Sequence, residues 1–244
     1  MKTNTAFKEE ALSALRGNWG KSILITLLYF LLAGSAMGPS MYTSILMQDY
    51  MKDMASGQNL TQMLSAMQDP DFLSLQTKAN ATGSGLTLFQ IFILFPLILG
   101  MCNAFHKLLT EGDNNLVVNA FHLGFKPYFH KVWGMLLMFI LVILWSCLFI
   151  IPGIIKIYSY AMTPYILHEY PELSASEAIH RSRMMMRGHK FDLFWLQLSF
   201  IGWFFLCIFT AGIGFLWLSP YYQTAMAAFY EEVKSDYAIN GGLA

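Results

Sequence analysis

The sequence predicts an all-α, polytopic membrane bundle of six transmembrane helices, arranged as three pseudo-repeated hairpins with short amphipathic interfacial helices. Three observations predict it. Only 12% of the 244 residues are charged, against 56% hydrophobic, whereas soluble domains carry about 25% charged residues. Long runs lack charge altogether. A short helix-like pattern also recurs three times, each time just ahead of such a run.

The runs set the spans. Crossing about 30 Å of hydrocarbon takes roughly 20 apolar helical residues. Between Lys21 and Asp49 lie 27 residues without Asp, Glu, Lys or Arg, and between Lys78 and Lys107 lie 28. Val132 to His168 contains one such charge, Lys156, in 37 residues, and Leu193 to Tyr230 contains none in 38. A straight helix of 38 residues would reach about 57 Å, so each of the last two runs folds back on itself. Pro152-Gly153 and Ala211-Gly212-Ile213-Gly214 are the expected hairpin tips, since proline removes a helical donor and glycine permits turns. The spans expected are Ser22–Met37, Leu86–Phe105, Val132–Ile151, Ile154–Leu167, Leu193–Thr210 and Phe215–Tyr230. The first of them follows a charged, helix-like segment and runs too long for a cleavable signal peptide.

Basic residues give the orientation. With the amino terminus inside, twelve lysines and arginines fall on cytoplasmic segments, and only Lys52, Lys78 and Lys156 on outer ones. That asymmetry predicts a protein of the cytoplasmic membrane with both termini in the cytoplasm, with five spans as the main rival.

The recurring pattern reads Ala14-Leu15-Arg16-Gly17-Asn18-Trp19, Phe121-His122-Leu123-Gly124-Phe125-Lys126 and Met185-Met186-Arg187-Gly188-His189-Lys190. In each, a helix-like stretch ends at a glycine ahead of an apolar run. Ser174-Ala175-Ser176-Glu177 adds a capping box to the third copy. Phe7, Ala11, Ala14 and Leu15 share one helical face, as do Ala175, Ala178, Ile179 and Met186. Such helices are expected to lie flat in the cytoplasmic interface, with basic groups near anionic headgroups. The chain reads as one membrane domain, 1–244. An acidic insertion at 38–85 lies within the first hairpin; helical patterning is weak over Met41–Ala55 and Leu60–Met67, so it forms either a small cap of helices or a loop.

Few residues carry chemistry. Lys156 in an apolar span is costly, about 3 kcal/mol at the centre, and needs an anionic ligand, a carboxylate partner, or a path by which it snorkels to the surface. Tyr158 and Tyr160 beside it offer hydroxyls or an aromatic belt. Pro164 and Pro220 occupy matched places in two hairpins and free backbone carbonyls, a pattern seen at transporter sites. Glu169 and Glu231 end these two hairpins; Glu169 is expected in water, and Glu231, like Glu232, in water or paired with Arg181, Arg183 or Arg187. His168, Glu172 and His180 lack metal-ligand spacing. No nucleophile elbow, phosphate-binding loop or dinucleotide fingerprint occurs; no catalytic residue, metal or cofactor is implied. Zero net charge argues against nucleic acid. The run Met184-Met185-Met186 reads as packing, and Cys102, Cys147 and Cys207 as small buried residues.

Pro152-Gly153-Ile154-Ile155-Lys156, Tyr158-Ser159-Tyr160, Pro164-Tyr165-Ile166-Leu167, Gly188-His189-Lys190, Thr210-Ala211-Gly212-Ile213-Gly214 and Phe229-Tyr230-Glu231-Glu232 together resemble the uncharacterised bacterial membrane family called domain of unknown function 975. Ala14-Leu15-Arg16-Gly17-Asn18-Trp19 is similar to that family's opening. The resemblance implies a bacterial cytoplasmic-membrane protein and supplies no substrate. The leading expectation is a non-enzymatic scaffold, accessory or lipid-interacting component. Its partners would be membrane lipids, including anionic headgroups at the cytoplasmic face, with a membrane-protein partner or a second copy also open. The alternative is a small transporter or channel with a site near Lys156, Pro164 and Pro220. The third is a lipid-acting enzyme, which needs His168, Glu169 and Glu231 to meet in one cleft.

Overall fold

The computed structural model describes residues 1–55 and 69–239. All regular structure among them is helical. Two compact units divide the chain: Met1–Tyr29 with Phe95–Ala244, and Phe30–Leu94.

The chain opens with α1 (Asn4–Leu15), capped by the Thr3 hydroxyl, which accepts from the Ala6 N–H at 3.3 Å. Gly17, at φ +82°, turns the chain into α2 (Trp19–Ala55). The unit Phe30–Leu94 holds the rest of α2, then α3 (Pro70–Phe89) and a π-helical turn over Gln90–Leu94. The helical patterning over Met41–Ala55 falls within α2, which continues through Gly38 without a break. The stretch Leu60–Met67 lies outside the described residues.

In the larger unit, α4 (Phe95–Glu111) is followed by α5 (Leu116–Phe125), which packs back along it. Glycine permits the crossing. A Cβ on Gly100 would sit 1.8 Å from the Ala120 carbonyl oxygen, and one on Gly124 would sit 2.3 Å from that of Pro96. Gly124 therefore serves close packing inside the helix, where the sequence pattern suggested a stop.

Next come α6 (Tyr128–Leu148), α7 (Ile150–Tyr160) and α8 (Thr163–Glu169), with α6 and α7 paired as a hairpin. Its break falls at Phe149, three residues before the expected Pro152-Gly153 tip. Proline in a first helical turn loses no bond, because that N–H has no helical acceptor, and Gly153 is needed elsewhere: a Cβ there would meet the Ser146 hydroxyl at 2.4 Å. The expected span Ile154–Leu167 is broken at Ala161-Met162.

The capping box appears in α9 (Ala175–Met185): the Ser174 N–H donates to Glu177 at 2.7 Å, and the Glu177 N–H to the Ser174 hydroxyl at 3.3 Å. Gly188, at φ +87°, ends this segment. The last hairpin joins α10 (Lys190–Leu198) and α11 (Ile201–Phe209) to α12 (Phe215–Ile239) through Ala211 at φ +51° and Gly212 at φ +87°, at the expected tip. The Ser199 carbonyl, drawn off to accept from Lys8 at 2.8 Å, marks the step between α10 and α11.

The apolar stripes expected on α1 and α9 are buried within the fold, whereas Val118 and Phe121 of α5 stand exposed. Phe7, Ala11 and Leu15 are buried, with Phe7 against Phe229 of α12 at 5.6 Å between centroids. Ala175, Ala178, Ile179 and Met186 are likewise buried. The Ser182 hydroxyl donates to the Ser159 carbonyl at 3.0 Å and accepts from the Met162 N–H at 3.2 Å, so α9 runs back into the fold. Burying these stripes against protein satisfies them as fully as hydrocarbon would.

Among the described residues, three segments are long and apolar enough to cross a membrane: Phe92–Glu111, Tyr128–Cys147 and Lys190–Phe209. Trp203, Phe204, Phe205 and Phe209 stand exposed on the last of them. So dense an apolar surface suits hydrocarbon and would be costly in water.

Candidate functional site

One polar cleft, of about 430 Å³, opens where α4, α8 and α12 meet, lined among others by His106, His168, Glu169, Glu231 and Lys234. The cleft is built as a chain of pairs. Tyr230, whose side chain is buried, donates its hydroxyl to Glu169, and Lys234 donates to the other oxygen of the same carboxylate. Lys234 also lies 3.6 Å from Glu231, whose Oε1 is 2.5 Å from His106 Nε2. Tyr165 and Tyr230 stack at 4.8 Å, and the His106 ring stands edge-on to both, which fixes its orientation.

The environment sets the charges. The hydrogen bond from His106 holds the Glu231 carboxyl below its ordinary range, against a smaller opposing effect of burial. Burial works to lower Lys234, but the bond and charge of Glu169 carry it above the ordinary lysine value. His168 is pushed down to about 4, first by burial and then by the positive charge of Lys131, so it is neutral at pH 7.

A second, different site lies between α7 and the turn entering α10. It is a groove of about 560 Å³ with an apolar wall of Ile154, Ile155, Phe191 and Phe194, and Arg187 and Lys190 at its edge. Tyr158 lines it and meets the Phe194 ring edge-on at 6.1 Å. Lys156 sits over the Trp145 ring at 4.4 Å and near Tyr160 at 5.8 Å. Among the described residues no carboxylate pairs with it, and it feels the charges of Arg183 and Lys190. The sequence reading put Lys156 on the outer side and those two inside; the return of α9 along the second hairpin brings them together.

The sequence-derived candidates thus part company. Glu169 and Glu231 come together with Lys234, Tyr230 and His106, and Lys234 and His106 take the place of the arginines expected beside Glu231. Arg181 instead stacks on Tyr170 at 4.0 Å. Pro164 opens α8, its carbonyl accepting from the Asn103 amide at 3.4 Å, while Pro220 lies inside α12, its carbonyl accepting from Thr224 at 2.8 Å. Neither proline, nor Lys156, lines the polar cleft. His106, Tyr230 and Lys234 were not singled out by sequence. The available signal was position alone: each sits at the polar end of an apolar run.

Lys131 is the other residue missed. Its side chain is buried, and its ammonium donates to the carbonyls of Leu123 and Lys126, the latter at 2.6 Å, closing the last turn of α5.

Residues 1–237 match the family model described as Protein of unknown function (DUF975). No curated protein and no solved structure matches the chain.

Proposed function

Since the chain belongs to the DUF975 family, we propose that it is a non-enzymatic, lipid-interacting component of the bacterial cytoplasmic membrane. The observation that carries this reading is the state of its polar groups. In the cleft, Glu169 and Glu231 are both engaged by Lys234, with Tyr230 and His106 completing the set. The serines are spent on backbone: Ser159 donates to the Ile155 carbonyl at 2.7 Å and Ser199 to that of Leu196 at 2.6 Å. Such groups bind helices to one another rather than await a substrate.

The same proposal includes six spans, both termini in the cytoplasm and a threefold repeat. Each short helix packs on the last arm of a neighbouring hairpin: α5 on α4, α9 on α8, and α1 on α12. Contacts of this kind support the repeat. A second copy or another membrane protein completes the picture as partner.

A lipid-acting enzyme is the second reading, favoured by one observation: His168, Glu169 and Glu231 line a single cleft. Reconstitution into liposomes decides between them. Mass spectrometry of the lipids should show them unchanged after prolonged incubation. Hydrolysed or modified lipid, abolished by Glu169→Gln, would overturn the non-enzymatic reading.

A further inference from the structure

We propose that the groove between α7 and the Gly188 turn binds one anionic phospholipid, its phosphate held by Arg187 and Lys190 and an acyl chain laid along Ile155 and Phe191. The inference rests on the lipid-interacting reading above and names the ligand and its place.

Charge points to an anion. Arg187 and Lys190 line the groove, Lys156 beyond it feels the charges of Arg183 and Lys190, and among the described residues no carboxylate forms an ion pair with any of the four. Elsewhere the fold does provide partners: Lys107 meets Asp113 at 3.2 Å, Lys2 meets Glu10 at 3.0 Å, and Lys234 meets Glu169. Like charges beside an apolar wall repel in a weakly screening medium unless an anion joins them. A phosphate supplies both the charge and acceptors for the Arg187 fork.

Shape and hydrophobicity point to a lipid. The wall beside the cations is open: Phe191 is 77% exposed and Ile154 49%. A free phosphate would leave that wall uncovered, and a wholly apolar ligand would leave the cations unpaired. An amphiphile with an anionic head satisfies both. The volume, about 560 Å³, falls in the range of small-molecule sites and takes a headgroup with part of one chain. Tyr158 is the one hydroxyl among the lining residues and adds a donor. Gly188, at φ +87°, makes the turn that sets Arg187 and Lys190 on either side of it.

The test uses the full chain in nanodiscs of phosphatidylcholine containing phosphatidylglycerol at a few mole per cent, followed by native mass spectrometry. Wild type should retain one phosphatidylglycerol in preference to phosphatidylcholine. The double variant Arg187→Gln, Lys190→Gln should weaken retention by tenfold or more, as loss of two surface cations implies, and Phe191→Ser should weaken it as well. Arg16→Gln serves as control and should change nothing, and unchanged melting temperatures exclude misfolding. Equal retention of the two lipids, or retention indifferent to the double variant, overturns the site. Full competition by millimolar inorganic phosphate with no effect of Phe191→Ser overturns the lipid in favour of a small anion. Phosphatidylglycerol enriched around the protein regardless of these variants sinks this site while leaving the broader lipid-interacting reading standing.

Discussion

His106 and Glu231, 125 positions apart, meet with Nε2 and Oε1 at 2.5 Å and so tie α4 to α12. The pair is largely out of water, with side-chain exposures of 12% and 32%. Its worth can be measured by a double-mutant cycle with His106→Gln and Glu231→Gln. A coupling of about 1 kcal/mol is expected, the scale found for polar contacts between membrane helices. Unfolding in mixed micelles gives the four stabilities; additive effects would show that the contact contributes nothing.

Low pH should loosen the same cleft. His168 titrates at about 4 in the folded chain, below the ordinary 6.5. Between these values the unfolded chain binds more protons than the folded one, so stability is full above about pH 6.5 and falls as pH drops towards 4. Glu231, also held low, adds a loss in the same direction below its ordinary range near 4.5. Melting temperature followed from pH 7 to pH 4 should therefore decline, and His168→Gln should flatten the upper part of that decline. A slope unchanged in the variant would assign the titration elsewhere.

Three glycines should respond differently to alanine. In Gly100→Ala or Gly124→Ala the new methyl runs into backbone, which cannot rotate away, so a loss of at least about 2 kcal/mol is expected. Gly20 lies in α2 with open space around it, so Gly20→Ala should be neutral or stabilising by up to about 1 kcal/mol. Denaturant midpoints of the three variants check the order.

What could be read in advance divides along physical lines. Charge-free runs, the Ala211–Gly214 tip and the Ser174 capping box depend on neighbours in sequence, and each lies where local chemistry puts it. The Pro152 tip was misplaced because proline ends a helix or begins one with the same residue, and only the fit of Gly153 against Ser146 decides. The apolar stripe of α1 was legible, but lipid and protein are equally good apolar surroundings, so its burial against Phe229 was not. Glu169, Lys234 and His106 meet through three helices distant in sequence, which no spacing rule could link.

Orientation yields the most direct prediction. In a background with Cys102, Cys147 and Cys207 replaced by alanine, Gly83→Cys and Lys190→Cys should react with a membrane-impermeant maleimide from opposite sides. Gly83 lies in α3, within the insertion of the first hairpin, whereas Lys190 begins α10 beside His189, which bonds Asp236 near the end of α12 at 3.0 Å. The carboxyl-terminal end of α12 and the Lys190 turn therefore share one side, and the basic residues assign it to the cytoplasm. In intact cells Gly83→Cys should label and Lys190→Cys should not, with the pattern reversed in inverted vesicles. Labelling of both from the same side would remove the six-span arrangement.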